Sequence, residues 1–236
     1  MCGRFASSSR AVANLSTALR VRVRVVEALE NQAPGTRAPV ALSRPGGLCI
    51  ESLPWGVPPP WRGPPLLLAR SETVATKPVF RELLQQRRCL VPAEAFYEWQ
   101  AGTSPKQPWR FARADGEPLA MAGLWQAWRD ETGRQVEGFL LLTTAANPTV
   151  APRHDRMPVI LVPAAWKGWL NPEVPALSLL PLLRPWAEPM TAWPVTTALN
   201  RADYAGPATR VEAPLWQAEL FGASAGSDPA ASDPGA

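Results

Sequence analysis

The first residues that could do chemistry stand at the start of the chain, in MCGRFA. Removal of Met1, common when the second residue is small, would leave Cys2 with a free α-amine and a thiol on adjacent carbons. An α-amine has a reference pKa of about 7.7–8.0, so roughly a quarter of it is neutral and nucleophilic near neutral pH; a lysine offers about one part in a thousand. Cys2 would therefore be an amine nucleophile with a second nucleophile beside it. The bland alternative is that position 2 holds whatever followed the start codon.

Two further groups could move protons. Glu98 lies in AEAFYEWQ, wedged between Tyr97 and Trp99. In a strand those aromatics share one face and Glu98 takes the other. A carboxylate among aromatics has its pKa raised, which suits a proton shuttle, whereas an exposed edge carboxylate would do nothing. The single histidine, His154, sits in RHDRMP ahead of the apolar run MPVILV. A polar cluster at a strand entrance puts a titratable imidazole beside a surface cleft, though a lone histidine is often structural. A third cluster, WGVPPPW followed by LLLARSET, sets Trp55 and Trp61 on a rigid turn ahead of Arg70. Tryptophan and arginine together can stack bases and hold phosphates. Core packing is the better reading for Trp55 and the weaker one for Trp61.

The elements that must position these groups are mostly strands. AVANLSTAL (11–19) has helical spacing, VRVVEAL (23–29) alternates, and VALS and LCIESL flank RPGG as a hairpin. PVFRELLQQRR (78–88) predicts a short amphipathic helix with Pro78 near its start and Arg87 and Arg88 at the end that favours cations. RCLVPAEAFYEW, PWRFARA, LAMAGLWQAW, EGFLLLTTAA and MPVILV are apolar runs between turn signals, and AAWKGWL (164–170) predicts a helix. The 28 prolines limit helix length. The balance is a strand-dominated α+β domain. From about Gly222 the text turns low-complexity and apolar-poor, so residues 222–236 are expected to be a disordered tail.

Composition removes several classes. No apolar run approaches about 20 residues, so no membrane span is expected, and Arg4 and Arg10 interrupt any secretory signal. Three cysteines without a CxxC pair support neither a disulfide framework nor a metal site. A reduced cytoplasmic setting fits and would keep Cys2 a thiol. Net charge is +4, a modest pull toward an anionic partner.

MCGRF, WGVPPPW, ARSETVATKPVFRELLQQRRCLVPAEAFYEWQ, GLWQAW, FLLLTTAAN and HDRMPVIL occur in the order of the SRAP family, whose members are abasic-site processing proteins, also called SOS-response-associated peptidases. The chain resembles that family from residue 2 to about residue 215. The resemblance implies one compact α+β domain, residues 2–221, with a β-barrel-like core, a few short helices and a groove for single-stranded DNA. It implies that Cys2 bonds covalently to the ring-opened aldehyde of an abasic site, closing a thiazolidine, with Glu98 and His154 as the matching catalytic groups. Arg4, Arg70 and Trp61 match groove positions, Pro34 a residue at the groove's edge, and Asn31 the asparagine of the family's Y-N-x-A-P segment. No metal or cofactor is expected, the partner is single-stranded DNA containing abasic sites, and a monomer, associated with the nucleoid when on DNA, is expected. Peptidase activity amounts, on this reading, to removal of Met1, and lyase activity is a further implication.

The chain departs from the family twice. Leu68 stands where the family writes the asparagine of N-A-R-x-E-T, and leucine makes no hydrogen bond. Arg62 stands where many members carry another aromatic, trading a stacking face for a cation. Two other readings stay open: a non-covalent single-strand binder, motivated by Leu68, and an N-terminal-nucleophile amidohydrolase, motivated by Cys2.

Overall fold

The computed structural model describes residues 2–23 and 27–211. The expected tail at 222–236, and part of the VRVVEAL run, lie outside the described residues. In chain order the elements are β1 (Arg4–Ala6), α1 (Ser9–Leu19), β2 (Arg22–Val23), β3 (Arg37–Arg44), β4 (Gly47–Pro54), β5 (Leu68–Arg70), α2 (Pro78–Gln86), β6 (Arg88–Ala93) and β7 (Ala95–Trp99). They continue with β8 (Pro108–Arg113), β9 (Leu119–Arg129), β10 (Gln135–Ala145), β11 (Arg156–Pro158), α3 (Pro163–Leu170), α4 (Ala176–Leu179) and β12 (Met190–Pro194). A 3-10 turn at Thr197–Asn200 follows β12.

Two sheets carry the fold. The smaller runs β1-β7-β8-β12; the larger runs β11-β10-β9-β6-β3-β4-β2, with β5 joining β10 in parallel. The RPGG text makes the tight β3–β4 hairpin, pairing Arg44 with Gly47. The large sheet curls until the end of β4 returns to β10, where Trp55 bridges Phe139 and Gly56 N–H donates to Phe139 O at 2.8 Å. This closure makes the core barrel-like.

Both faces of the central strands are buried, so they read as continuous apolar runs. On β3, β6, β9 and β10 the residues Leu42, Val91, Met121 and Phe139 point between the sheets, where Phe5, Phe96 and Phe111 meet them. Their neighbours Ala41, Leu90, Ala122 and Leu140 point outward, under α1, α2 and α3. α1 begins at Ser9, two residues ahead of the expected stretch, and α2 begins at Pro78 as the sequence predicts. Ser8 accepts from Ala11 N–H at 2.9 Å to cap α1, and Pro78 opens α2.

Arg88 turns from the end of α2 into the core and is 3% exposed. Its donors meet only carbonyl oxygens: Leu84 and Gln85 at the end of α2, Trp169 at the end of α3, and Asn171 and Val174 beyond it. A cation at two helix C-termini is favoured by their dipoles as well as by these bonds.

The closure leaves no room at Gly138. A Cβ there would sit 2.2 Å from Gly56 O and 3.2 Å from Pro54 O. Gly138→Ala must push β10 off the end of β4, an overpacking cost of about 1–3 kcal/mol. At about 2–4 °C per kcal/mol, this lowers Tm by roughly 2–12 °C. Gly168→Ala is the control: nothing lies within 4 Å of its Cβ position in α3, and alanine there gains up to about 1 kcal/mol of helix propensity. Thermal melts of both variants check the pair; equal Tm values would contradict the closure argument.

Candidate functional site

The small sheet brings the two ends of the candidate chemistry together. β1 pairs antiparallel with β7, Arg4 opposite Tyr97 and Phe5 opposite Phe96, so the residues before β1 run alongside Glu98. Along β7, Ala95 and Tyr97 face the outer cluster that includes Val195 and Leu199, and Phe96 faces the inter-sheet core. Glu98 lies two residues beyond Phe96 on that inward face and is 1% exposed. The alternation read from the sequence is what buries it, and the exposed-edge alternative does not hold.

Cys2 is itself buried, and its thiol sits beside the Glu98 carboxyl and interacts with it. Burial first, then the neighbouring Glu98 charge, push the thiol well above its ordinary value. Burial likewise raises Glu98, partly offset by the Cys2 hydrogen bond and by His154. Burial thus holds both groups toward their protonated forms; Glu98 adds to this for Cys2, whereas the bond from Cys2 pulls Glu98 back toward its ionised form.

His154 completes the group, with Nδ1 3.8 Å from Glu98 Oε1. It reaches this place because β10 and β9 diverge and the chain around β11 enters the fork. Val159 N–H donates to Leu142 O on β10, and Ala122 N–H on β9 donates to Val159 O. The flanking residues anchor the imidazole from both sides. The Arg153 guanidinium lies 3.9 Å from the Trp109 ring centroid, and Trp109 is paired with Glu98 across β7 and β8. Arg156 makes two bonds to Glu72, at 2.7 and 2.9 Å, and one to Thr143 O at 2.7 Å. Arg156 N–H lies 2.9 Å from His154 Nδ1, and Asp155 Oδ1 lies 3.2 Å from the same nitrogen.

Glu98 and His154 lie at a pocket of about 660 Å³ lined also by Gly3, Arg4, Pro34, Trp99, Lys106 and Asn200. Of the residues singled out from the sequence, Arg4, Pro34, Glu98 and His154 line this pocket, and Cys2, next to the lining residue Gly3, is buried beside Glu98. Asn31 is buried behind Arg4 and accepts from its Nη1 at 2.8 Å. Trp61, 57% exposed, Arg62 and Arg70 lie on the surface outside this lining, while Trp55 is core, as expected. Leu68 is half-buried in β5, paired with Leu141, and packs against the inter-sheet core.

Sequence reasoning missed Lys106, Asn200 and the anchoring role of Trp109. Asn200 accepts from Trp99 Nε1 at 2.6 Å and donates to Lys106 O at 3.0 Å, so it joins three distant segments into one wall. No local pattern marks such a residue. Trp109 could have been found by its period-two partnership with Glu98 once β7 and β8 were paired.

A buried aminothiol position, a carboxyl and an imidazole on this curled-sheet frame define a class. The family described as "SOS response associated peptidase (SRAP)" matches residues 1–202, and the chain belongs to it. It is 35% identical over 181 residues to the abasic site processing protein YedK of Escherichia coli (strain K12), covering 74% of this chain and 81% of that one. It is 30% identical over 209 residues to the abasic site processing protein HMCES of Xenopus tropicalis, covering 73% of this chain and 62% of that one. A solved structure of a protein from Bacteroides thetaiotaomicron superposes with a TM-score of 0.73 at 25% identity, covering 84% of this chain and 93% of that one.

Proposed function

We propose that this chain processes abasic sites in DNA by capturing the open-chain sugar aldehyde on Cys2 once Met1 is removed. One observation carries the reading: the Cys2 thiol rests on the buried Glu98 carboxyl, with His154 3.8 Å from that carboxyl, beside an open pocket. The names of the relatives support the substrate.

The α-amine nitrogen attacks the aldehyde carbon, and the aldehyde oxygen leaves as water to give an iminium. The thiol sulfur then adds to the same carbon and its proton departs, closing the five-membered thiazolidine with a net loss of one water. Ring closure is intramolecular and so has a high effective molarity. A raised Glu98 can deliver a proton to the departing oxygen and, once ionised, take one from the amine or the thiol. His154 can protonate the sugar ring oxygen as the ring opens. Arg4 and Lys106 beside the pocket, with Trp61, Arg62 and Arg70 on the surface, would hold a single strand through phosphate and stacking contacts.

The test is intact-mass analysis of the protein mixed with an abasic single strand. The expected species has the mass of the Met1-free chain plus the strand less one water. Unmodified protein after prolonged incubation, with the strand bound, would make the chain a non-covalent binder instead. Cleavage of amide substrates without any DNA adduct would favour the amidohydrolase reading.

A further inference from the structure

The arginines differ in what their guanidinium groups meet. Arg10, Arg44, Arg110, Arg113, Arg156 and Arg201 each face a carboxylate, so their charge is balanced within the protein. Arg37 and Arg129, on the surface, and Arg4 and Arg88 instead bond to neutral oxygens. Arg88 spends all three of its guanidinium nitrogens on carbonyls inside the core. Arg4 does not.

Arg4 Nη1 donates to Asn31 Oδ1 at 2.8 Å and to Leu199 O at 2.9 Å, with Arg201 O further off at 3.4 Å. Among the described residues, its Nε and Nη2 donate to no protein acceptor and it forms no ion pair. The guanidinium also lies 5.5 Å from the Trp99 ring centroid, and it lines the pocket that holds Glu98 and His154. Asn31, 5% exposed, is fixed in turn by its own donors, to Tyr204 O at 2.9 Å and Arg201 O at 3.1 Å. An amide serves here as a carboxylate could not. It accepts from Arg4 on one side, donates to carbonyls on the other, and leaves the positive charge unspent.

Resting on the reading above, we propose that Asn31 and the Leu199–Tyr204 turn are positioning groups that hold Arg4 by one nitrogen and aim its other two donors at a DNA phosphate beside the lesion. Two adjacent guanidinium donors match two phosphate oxygens, and a fixed fork loses less entropy on binding than a mobile one. The neutrality of the cradle is the specific claim: it keeps a full charge for the ligand.

The test measures binding of the full chain to a single strand carrying a tetrahydrofuran abasic analogue, which has no aldehyde and cannot crosslink, across a salt series. Asn31→Asp puts a carboxylate on Arg4. It is expected to weaken binding about tenfold at low salt and to flatten the slope of log affinity against log salt by about 0.7, one single-strand phosphate contact. The crosslinking rate at saturating abasic DNA should change by less than about threefold, because Asn31 touches no reacting atom. Arg4→Gln should flatten the slope equally, and the double variant should be no worse than Arg4→Gln alone. If Asn31→Asp does not fold, Asn31→Ala enters the same cycle with Arg4→Gln. An unchanged slope, or losses that add in the double variant, overturns the cradle while leaving the wider function standing. A wild-type chain that binds no single strand removes both.

Discussion

Cys2→Ala is expected to yield no heat-stable adduct with abasic single-stranded DNA while its affinity for the same strand stays within about twofold of wild type. Alanine keeps the α-amine but removes the sulfur that closes the ring, so any imine formed remains open to hydrolysis. The contacts expected to give affinity come from Arg4, Lys106 and the surface tryptophan and arginines, and a single thiol contributes little to them. Cys2→Ser separates the two steps. Its imine is expected to be trapped by borohydride yet lost on heating without it. Gel shift before and after heating, with denaturing electrophoresis of the borohydride-treated sample, reads all three outcomes. Adduct formation by Cys2→Ala at the wild-type rate would exclude the N-terminal mechanism.

Glu98→Gln is the second large effect, and it has two opposed parts. Loss of the carboxyl is expected to slow crosslinking by about 10²–10⁴-fold, the range for removal of a positioned proton-transfer group. Stability moves the other way. Burial raises Glu98 above its ordinary 4.5, so between that value and the raised one the folded chain binds more protons than the unfolded chain. Its stability therefore falls as pH climbs through that window, and ionised Glu98 is a net burden above it. Glutamine carries no such burden. The Tm difference between Glu98→Gln and wild type should be small near pH 4 and grow in favour of the variant toward pH 8. A variant uniformly less stable at both pH values would show that the hydrogen bond from Cys2 outweighs burial.

How much of this was legible in the sequence differs by the range of the interaction. Local signals held: Pro78 opens α2, RPGG closes the β3–β4 hairpin, and strict alternation places Glu98 inward while Tyr97 takes the opposite face. Composition separated Trp55 from Trp61 correctly because one lies within an apolar neighbourhood and the other after three prolines. Interactions across 90 residues or more were not legible in the residue pattern itself, and the grouping of Cys2 with Glu98 and His154 came only from the family resemblance. Asn200 on Trp99, 101 residues apart, exists only because the turn after β12 packs against the end of β7. VRVVEAL shows the limit of alternation read alone: among its described residues only Val23 is in a strand, beside Arg22, and it is exposed. Leu68 reads as a missing hydrogen bond in sequence, yet in the fold it adds apolar contact to the inter-sheet core. A position can lose one role and carry another, and only packing reveals the second.

The contact between Cys2 and Glu98 also bears on how long the protein remains usable. On the proposed mechanism a thiazolidine that stays closed would consume its protein, so each molecule would act once and would have to survive until it met a lesion. Peroxide and other oxidants attack the thiolate rather than the thiol. Burial and the adjacent carboxyl favour the protonated form of Cys2, so the arrangement that would seat the nucleophile would also shield it from oxidative loss while it waits.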